Sequence, residues 1–471
     1  MKKNIAIIGS GFLGLTLALR LSEAGNRVTV YESAPEIGGL ASAWQIGDIV
    51  WDKHYHVTLF SDAFTRKIVE EIGLQNEFEW VETKTGFYTD GQLVSMSNTL
   101  EFLKFPPLDL LSKFRLGGTI FYASRVKNWK ALEKISVEDW LTRLSGKRTF
   151  EKMWRPLLKA KLGEAYRETS AAFIWATIQR MYAARNSGLK KEMFGYVRGG
   201  YARVLERFAR HLREKGVEIR LGARVEKIEK VEDKIRVFAT EGTEITEKKQ
   251  VVKERAGIGK LKSLSETSVI SVPSVAESSS EHFDSAILTC PSNVAARILP
   301  QLTGEEKAKL ENIRYQGIVC ASLLTRKSLS EFYVTNITDE TPFTGIIEMS
   351  ALVDKGEFGG NALVYLPKYV APDDELFDRT DEEIKEKFLS ALEKMYPHFR
   401  RADVVDFRIS RVRQVFPLPT LEYSKNVPPI GTSLENVHIV NSAQITNGTL
   451  NVNETIQLAE RAVDFLVSGE Q

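Results

Sequence analysis

Cysteine is scarce in this chain of 471 residues, which contains only Cys290 and Cys320. The two lie 30 positions apart in apolar surroundings, a spacing that fits neither a disulfide framework nor a metal site. We therefore expect buried thiols in a reducing compartment. A surplus of basic charge is also missing, because 64 Lys and Arg face 62 Asp and Glu. A nucleic-acid partner is accordingly not expected.

The chain also lacks a hydrophobic run suited to crossing a bilayer. The uncharged stretch 4–19 follows two lysines, as in a secretion signal, but it carries Gly9, Gly11 and Gly14 at a meaningful spacing and has no clear cleavage site. We predict a cytoplasmic protein. Its length predicts roughly two to four domains.

Two motifs of other enzyme classes are absent. The chain contains neither the G-x-S-x-G elbow of serine hydrolases nor the G-x-x-x-x-G-K-[ST] phosphate loop. The sequence therefore offers no motif that supports a hydrolase or kinase function.

A glycine motif opens the chain. Gly9, Gly11 and Gly14 directly follow a predicted strand, Ile5–Ile8, and begin a predicted helix, Phe12–Ala24. In this context the first glycine makes a tight turn, the second lets a pyrophosphate approach the backbone, and the third lets the helix pack on the sheet. The helix N-terminus would hold the anion. The motif therefore predicts a bound dinucleotide.

A carboxylate follows at the end of the next predicted strand, Val28–Tyr31. Glu32 lies eighteen positions after Gly14, where its side chain can accept hydrogen bonds from ribose hydroxyls. A carboxylate there repels a 2′-phosphate, so NADP is the least expected ligand.

A second glycine pair, Gly38-Gly39, follows six residues after Glu32. Here the chain resembles the FAD-dependent amine oxidase superfamily, which includes protoporphyrinogen oxidases, phytoene desaturases and, more distantly, UDP-galactopyranose mutases. In that superfamily the glycine pair loops back over the FAD diphosphate. Leu40 stands where amine oxidases often carry Arg, and the Gly-Gly-Leu-Ala form is more similar to the desaturase and mutase branches. The resemblance thus implies FAD and disfavours an amine substrate.

The resemblance extends over most of the chain. Segment 52–56 resembles the stretch beside the flavin, segments 154–163 and 198–201 resemble the substrate-domain helix and the return to the FAD domain, and Val225 matches a residue at the adenine. Asn441 and Ser442 replace the Gly-Asp or Gly-Glu that contacts the ribityl chain. Asn451–Glu454 opens the last predicted helix, whose positive end either faces the flavin pyrimidine or is simply capped.

The residues predicted to contact FAD can be given together. They are Gly9, Gly11, Phe12, Leu13, Gly14, Glu32, Ser33, Gly38, Gly39, Leu40, Ala41, His56, Val225, Asn441, Asn451 and Val452. His56 is also the one candidate for a catalytic side chain, because His54 and His56 would share a face of a strand. No metal site is predicted there, since no further ligand is evident.

The predicted fold class is α/β, a discontinuous Rossmann-like FAD-binding domain with an inserted α+β substrate domain. The FAD-binding parts are 1–75, 196–300 and 426–471, the helical part of the substrate domain is 76–195, and its sheet and helix are 301–425. Aromatic residues are missing between Phe238 and Phe283. This gap predicts an exposed insertion at 240–282, with partner docking as an alternative role.

Three functions remain open from the sequence. The first is an FAD-dependent oxidoreductase that transfers a hydride from a substrate carbon to flavin N5. The second is a mutase-like isomerase without net redox change, and the third is an FAD-binding scaffold or regulatory protein. The partner is a small molecule.

An apolar stretch with basic neighbours, 105–115 and 120–122, allows two interpretations. It is either a buried helix of the substrate domain or a peripheral membrane contact that admits a lipophilic substrate.

Overall fold

The structure is a computed structural model that describes residues 2–185, 193–240, 243–244 and 278–468. The strands in these ranges are β1 (Asn4–Ile8), β2 (Arg27–Tyr31), β3 (Ala43–Ile46), β4 (Ile49–Asp52), β5 (Thr58–Leu59), β6 (Phe78–Glu82), β7 (Lys84–Thr89), β8 (Gln92–Ser95), β9 (Met193–Val197), β10 (Glu218–Leu221), β11 (Val225–Val231), β12 (Lys234–Thr240), β13 (Thr243–Glu244), β14 (Ser278–Phe283), β15 (Ser285–Leu288), β16 (Tyr315–Thr325), β17 (Phe332–Ile337), β18 (Gly345–Glu348), β19 (Ala362–Val370), β20 (Val404–Pro417) and β21 (Val437–Ile439). The α-helices are α1 (Phe12–Glu23), α2 (Ala63–Glu71), α3 (Thr99–Lys104), α4 (Leu110–Arg125), α5 (Trp129–Leu132), α6 (Val137–Ser145), α7 (Lys147–Thr149), α8 (Arg155–Leu162), α9 (Ala171–Arg185), α10 (Gly200–Glu214), α11 (Ser292–Ile298), α12 (Gly304–Glu311), α13 (Asp381–Met395), α14 (Tyr423–Asn426) and α15 (Val452–Ser468).

A six-stranded sheet has the order β13-β10-β2-β1-β15-β21. All neighbours from β10 to β21 are parallel, and β13 is an antiparallel edge strand. Helices α1, α10 and α15 contribute to the apolar core on one face, and β11, β12 and α11 to that on the other. Because both faces are covered, β1 and β15 are continuous apolar runs rather than alternating ones. The α/β class is confirmed.

A seven-stranded sheet forms the second layer, in the order β20-β16-β19-β18-β17-β7-β8. Strand β16 is buried along its whole length. Val319, Ala321 and Leu323 pack with α13, whereas Ile318 and Cys320 pack with the helices of the middle segment. Alternate residues of one strand thus join the two cores, as the two-residue period of a strand requires.

The middle segment differs from the prediction. Residues 76–195 were expected to be helical, but they also contribute β6, β7, β8 and β9. Strand β7 pairs in parallel with β17, about 250 positions away in the chain. Pairing with a strand so far away in the chain determines the extended conformation of β7. The hydrophobic periodicity of the segment itself does not reveal that pairing.

The predicted insertion at 240–282 lies mostly outside the described residues. The prediction is wrong for the last part of this range, because Ser278–Phe283 forms β14. This strand pairs with β12 from Thr240↔Ser278 to Ile235↔Phe283. The sequence of β14, Ser-Ser-Ser-Glu-His-Phe, shows no alternation of apolar and polar residues, so a strand was not evident there.

In the described ranges we find no helix both long and apolar enough to pass through a membrane.

Candidate functional site

The glycine motif lies at the carboxyl end of β1 and the start of α1. The Gly9 amide donates to the Tyr31 carbonyl at 2.8 Å, and Gly9 has φ +112°, which suits glycine. A Cβ on Gly14 would lie 2.0 Å from the Gly9 carbonyl oxygen, so helix and loop touch there. These contacts place the α1 N-terminus, with its unpaired first N–H groups, at the edge of the sheet.

The second glycine pair lies against the first motif. The Gly38 amide donates to the Ser10 carbonyl at 3.0 Å, and Gly38 and Gly11 form a parallel bridge. Gly38 has φ +112°, and a Cβ on Gly39 would lie 3.5 Å from Gly11 Cα. A Cβ on Gly11 itself would meet no described atom within 4 Å. The two loops therefore leave open space beside Gly11.

Glu32 has a role that the sequence did not reveal. Its carboxylate accepts from the Ser10 amide at 2.9 Å, from Ser10 Oγ at 2.8 Å and from the Ala34 amide at 2.9 Å. It therefore holds the glycine loop to the end of β2, in addition to the ribose contact predicted for it. Ser33 beside it is exposed.

Phe12 and Leu13 turn their side chains into the core, so only their backbone can face a ligand. Phe12 packs edge-on against Tyr201, with ring centroids 5.4 Å apart. Leu40 and Ala41 belong to a short 3₁₀ turn after Gly38. The Leu40 carbonyl lies 3.2 Å from His54 Nδ1, which ties this turn to the next part of the site.

The remaining predicted contacts are more scattered. Val225 is buried at the start of β11, and the Ala223 amide just before it donates to the Glu32 carbonyl at 2.8 Å. Asn441 caps a 3₁₀ turn and donates from Nδ2 to the Cys290 carbonyl at 3.0 Å. Its side chain is thus already engaged by the protein.

The last helix begins as its sequence predicted. Asn451 Oδ1 accepts from the Glu454 amide at 3.1 Å, just before Val452 starts α15. Helix α15 packs beside α1 in the same core.

Segment 53–57 is not a strand, so the inference that His54 and His56 share a strand face is wrong. The segment crosses from the glycine turn to α10, because the Lys53 amide donates to the Ser42 carbonyl and Asp52 Oδ1 accepts from the Ala202 amide. Both hydrogen bonds are made at the start of the segment, and the structure shows no strand pairing along 53–57.

Asp52 and the two histidines form a buried polar group. His56 Nδ1 lies 3.7 Å from Asp52 Oδ2, too far for a hydrogen bond. Burial raises the pKa of Asp52, and burial together with His56 lowers the pKa of His54 to about 4. His54 Nε2 and His56 Nδ1 are buried without a hydrogen-bond partner among the described residues.

An aromatic cluster, defined as Tyr55, Tyr365, Tyr369 and Phe416, lies next to this segment. The hydroxyls of Tyr55 and Tyr369 are 2.9 Å apart, and Tyr365 donates to the Asp52 carbonyl. Burial raises the pKa of Tyr55 to about 12, so its hydroxyl stays protonated. Sequence analysis missed this cluster because its members come from three distant parts of the chain.

Lys161, near the end of α8, reaches the aromatic cluster. Its Nζ lies 3.8 Å from the Tyr369 ring centroid and 5.0 Å from that of Phe416, within the range of cation–π contacts. Some of its side-chain surface remains accessible. Burial among these rings nevertheless lowers the pKa of Lys161 to about 7. Near neutral pH this amine therefore exists in both protonation states.

Replacement of Lys161 by Met is expected to remove part of the rise in stability with pH. The folded pKa of about 7 lies below the reference value of 10.5, so between these values the unfolded chain binds a proton that the folded chain does not. The destabilisation from charging this buried amine is therefore present in full below pH 7 and is relieved as the pH rises from about 7 to 10.5. We would compare urea midpoints of both proteins, at equal flavin occupancy, at pH 7 and pH 9. Parallel pH dependences would contradict this assignment.

A cleft of about 620 Å³ opens near Lys161. Leu162 and Gly163 line it directly after Lys161, and Gln316 lines it from β16, where it pairs with Phe416 of the aromatic cluster. Gln316 is 2% exposed, and its Nε2 has no hydrogen-bond partner in the described part of the chain. The volume suits a small-molecule ligand.

These features fit a dinucleotide such as FAD. Open space beside Gly11 lies at a helix N-terminus, where a diphosphate is favoured, and the Glu32 carboxylate lies at the adjoining strand end. The unpaired nitrogens of His54 and His56 offer further polar contacts. In the part of the chain that the structure describes, no group of three or more His, Cys, Asp or Glu could hold a metal ion.

Comparison with known proteins decides the family. The model for flavin-containing amine oxidoreductases matches residues 14–253 and 258–464. The chain belongs to this family. The flavoprotein assignment and the FAD cofactor predicted from the sequence are therefore confirmed.

Individual members of the family are distant relatives. A protein named "Probable zeta-carotene desaturase" from Synechococcus elongatus is 27% identical over 256 residues, which cover 49% of this chain and 52% of that protein. The chain spans about half the length, or less, of the first curated relatives that it matches.

Solved structures share the fold. A double mutant of putrescine oxidase has a TM-score of 0.69 at 15% identity, with 99% of each chain covered. Reduced UDP-galactopyranose mutase has a TM-score of 0.70 at 14% identity, covering 100% of this chain and 95% of the other. Identities this low concern the fold alone, so the substrate of this flavoprotein must be argued from its own residues.

Proposed function

We propose that this flavoprotein oxidises a lipophilic substrate by hydride transfer from a substrate carbon to N5 of FAD. The observation that carries the proposal is the aromatic cluster with Lys161. Tyr55 belongs to the segment that the family resemblance sets beside the flavin, so the cluster would form the substrate side of the site. Its members offer rings and hydroxyls but no carboxylate.

This composition favours a carbon substrate over an amine. A protonated amine requires a counter-charge or a hydrogen-bond acceptor when it is buried. Here it would meet Lys161, whose charged form repels it. The Asp52 carboxylate is turned toward the Ala202 amide and His56 instead. An apolar substrate has no such requirement.

The two glycine loops and Glu32, which together we call the cradle, have separate tasks. The backbone at Gly11, Phe12 and Leu13 would hold the diphosphate, and Glu32 would accept from the ribose while fixing the loop. Gly38 and Gly39 would close over the diphosphate from the other side. When bound, FAD supplies a two-electron acceptor at N5.

The proposed reaction balances as a dehydrogenation. One substrate carbon loses a hydride, a proton leaves the neighbouring carbon of a carotene or a conjugated pyrrole N–H of a porphyrinogen, and the electron pair left behind forms a new double bond. Lys161 Nζ, with its pKa lowered to about 7, would accept that proton in its neutral form. The two electrons then pass to dioxygen or to a quinone.

A substrate panel tests this proposal. We would incubate the flavin-loaded protein with zeta-carotene, protoporphyrinogen, putrescine or UDP-galactopyranose, and measure product mass and acceptor consumption. We expect one of the first two to yield a product lighter by whole hydrogen pairs, with one acceptor reduced by two electrons for each pair. Oxidation of putrescine, or conversion of the sugar without an acceptor, would overturn the proposal in favour of an amine oxidase or a mutase.

A further inference from the structure

Helix α4 presents its more apolar face to solvent, the reverse of a normal surface helix. Leu110 is 60% exposed, Leu111 70% and Phe114 68%. Its buried face contains Ser112 and Lys113, among others. The sequence interpretation of a buried helix is therefore wrong for these apolar residues, although Phe105 and Leu108 just before them are buried.

The exposed apolar side chains are concentrated in one region. Twelve large hydrophobic side chains are exposed in the described part of the chain, and seven of them lie between positions 100 and 122. We call these seven the apolar surface: Leu100, Leu103, Leu110, Leu111, Phe114, Phe121 and Tyr122. Single exposed hydrophobic residues are ordinary, but a contiguous group marks an interaction site.

The apolar surface has a fixed arrangement. Lys113 Nζ donates to the Leu103 carbonyl at 2.7 Å and so joins α4 to α3. On its other side α4 is joined to α9, because Gln179 Nε2 donates to the Ala123 carbonyl at 2.8 Å. The buried side of α4, which includes Leu116 and Ala123, is thus packed on the protein, whereas Leu110, Leu111 and Phe114 are mostly exposed.

Basic charge surrounds the apolar surface. Residues 98–134 contain seven Lys and Arg against three Asp and Glu, a surplus of four in a chain whose total surplus is two. Lys104 and Lys127 are exposed, and the Arg125 guanidinium carbon lies 4.9 Å from the Phe121 ring centroid. Leu and Phe flanked by Lys and Arg are the composition of helices that lie in the plane of a membrane interface.

We propose that the apolar surface inserts into an anionic lipid bilayer. Association with a second copy is less suitable, because a two-fold contact would bring each basic rim against the same rim of its partner. Anionic headgroups would instead pair with those cations while the acyl region covers Leu111 and Phe114. This inference does not rest on the proposed reaction, because binding to vesicles needs no substrate.

Vesicle flotation tests the inference with the full-length flavin-loaded protein. We would compare phosphatidylcholine vesicles with vesicles that also contain phosphatidylglycerol. We expect the protein to float with the anionic vesicles and less with the neutral ones. The double variant Leu111→Ser and Phe114→Ser should bind about 10-fold more weakly or worse, and Lys104→Ser with Lys127→Ser about 30-fold more weakly on anionic vesicles only.

A matched control separates this surface from exposed apolar residues in general. Val405 and Val467 are also exposed, at 42% and 59%, but lie elsewhere. Their double serine variant should float like the unchanged protein. The inference is overturned if the protein floats with neither vesicle type, if the control variant loses binding equally, or if the Leu111 and Phe114 variant instead converts a dimer to a monomer.

Discussion

Replacement of Gly11 by valine is expected to give a folded protein that no longer retains flavin. Gly11 has φ −67° and ψ 172°, which any residue adopts, and a Cβ there meets no described atom within 4 Å. The same open space is where the dinucleotide diphosphate would approach the backbone. If overlap of the valine side chain with the diphosphate costs about 3 kcal/mol, FAD binds roughly 100-fold more weakly.

The flavin content of the purified variant and its affinity for added FAD measure this effect. Gly11→Ala serves as a graded control, because one methyl group fills less of the space, and its affinity should lie between those of the other two proteins. Circular dichroism checks that the fold is intact. A folded Gly11→Val protein with a full complement of flavin would remove the basis for the cradle.

Replacement of Gly14 by alanine is expected to destabilise the fold itself. The added Cβ would lie 2.0 Å from the Gly9 carbonyl oxygen and 3.3 Å from Thr289 Oγ1, so α1 must move away from the loop. Overpacking of this kind costs up to about 3 kcal/mol, against a gain of about 1 kcal/mol from higher helix propensity. We expect a net loss of about 2 kcal/mol in the unfolding free energy.

Gly118→Ala provides the matched control for Gly14→Ala. Gly118 also lies inside a helix, α4, but a Cβ there meets no described atom within 4 Å. It should therefore stabilise the protein by up to about 1 kcal/mol. Urea unfolding of both variants measures the difference. Equal midpoints for the two would show that the contact between α1 and the glycine loop is not as tight as the structure has it.

The first strand, helix and strand could be predicted from the sequence because their information is local. Asn4–Ile8 and Phe12–Glu23 lie within one or two residues of their predicted ends, and Gly25 adopts the left-handed conformation expected after a helix. The amphipathic pattern of residues 381–395 likewise predicts a helix, and the structure has one at Asp381–Met395. Apolar periodicity and capping residues are sufficient for such elements.

The aromatic cluster and Lys161 could not be predicted in the same way. Tyr55, Lys161 and Tyr369 are more than 100 positions apart and meet only through tertiary contacts. The pairing of β16 with both β19 and β20 brings Tyr369 near Phe416. A lysine near the C-terminal end of a helix normally points to solvent or interacts with the helix dipole. It does not by itself predict a contact with aromatic rings. Sequence alone therefore predicted the identity of the cofactor, and it suggested none of the cluster residues proposed for the substrate side.

The orientation of α4 was also beyond the sequence. The apolar residues near Leu111 and the basic residues beside them predict an amphipathic helix, but not which face is buried. The hydrogen bond from Lys113 to the Leu103 carbonyl and that from Gln179 to the Ala123 carbonyl fix which face of α4 is buried. The local sequence pattern predicts that α4 is a helix. The tertiary contacts determine which face of that helix is buried.

Anaerobic reduction of the bound FAD tests the central claim most directly. The flavin-loaded protein would be titrated without oxygen with the compound oxidised in the substrate panel, and the absorbance of oxidised flavin recorded together with the product formed. We predict that each dehydrogenation bleaches one flavin, and that deuterium at the reacting carbon slows the bleaching. Product formation while the flavin stays oxidised would contradict the claim, as would bleaching that is insensitive to deuterium at that carbon.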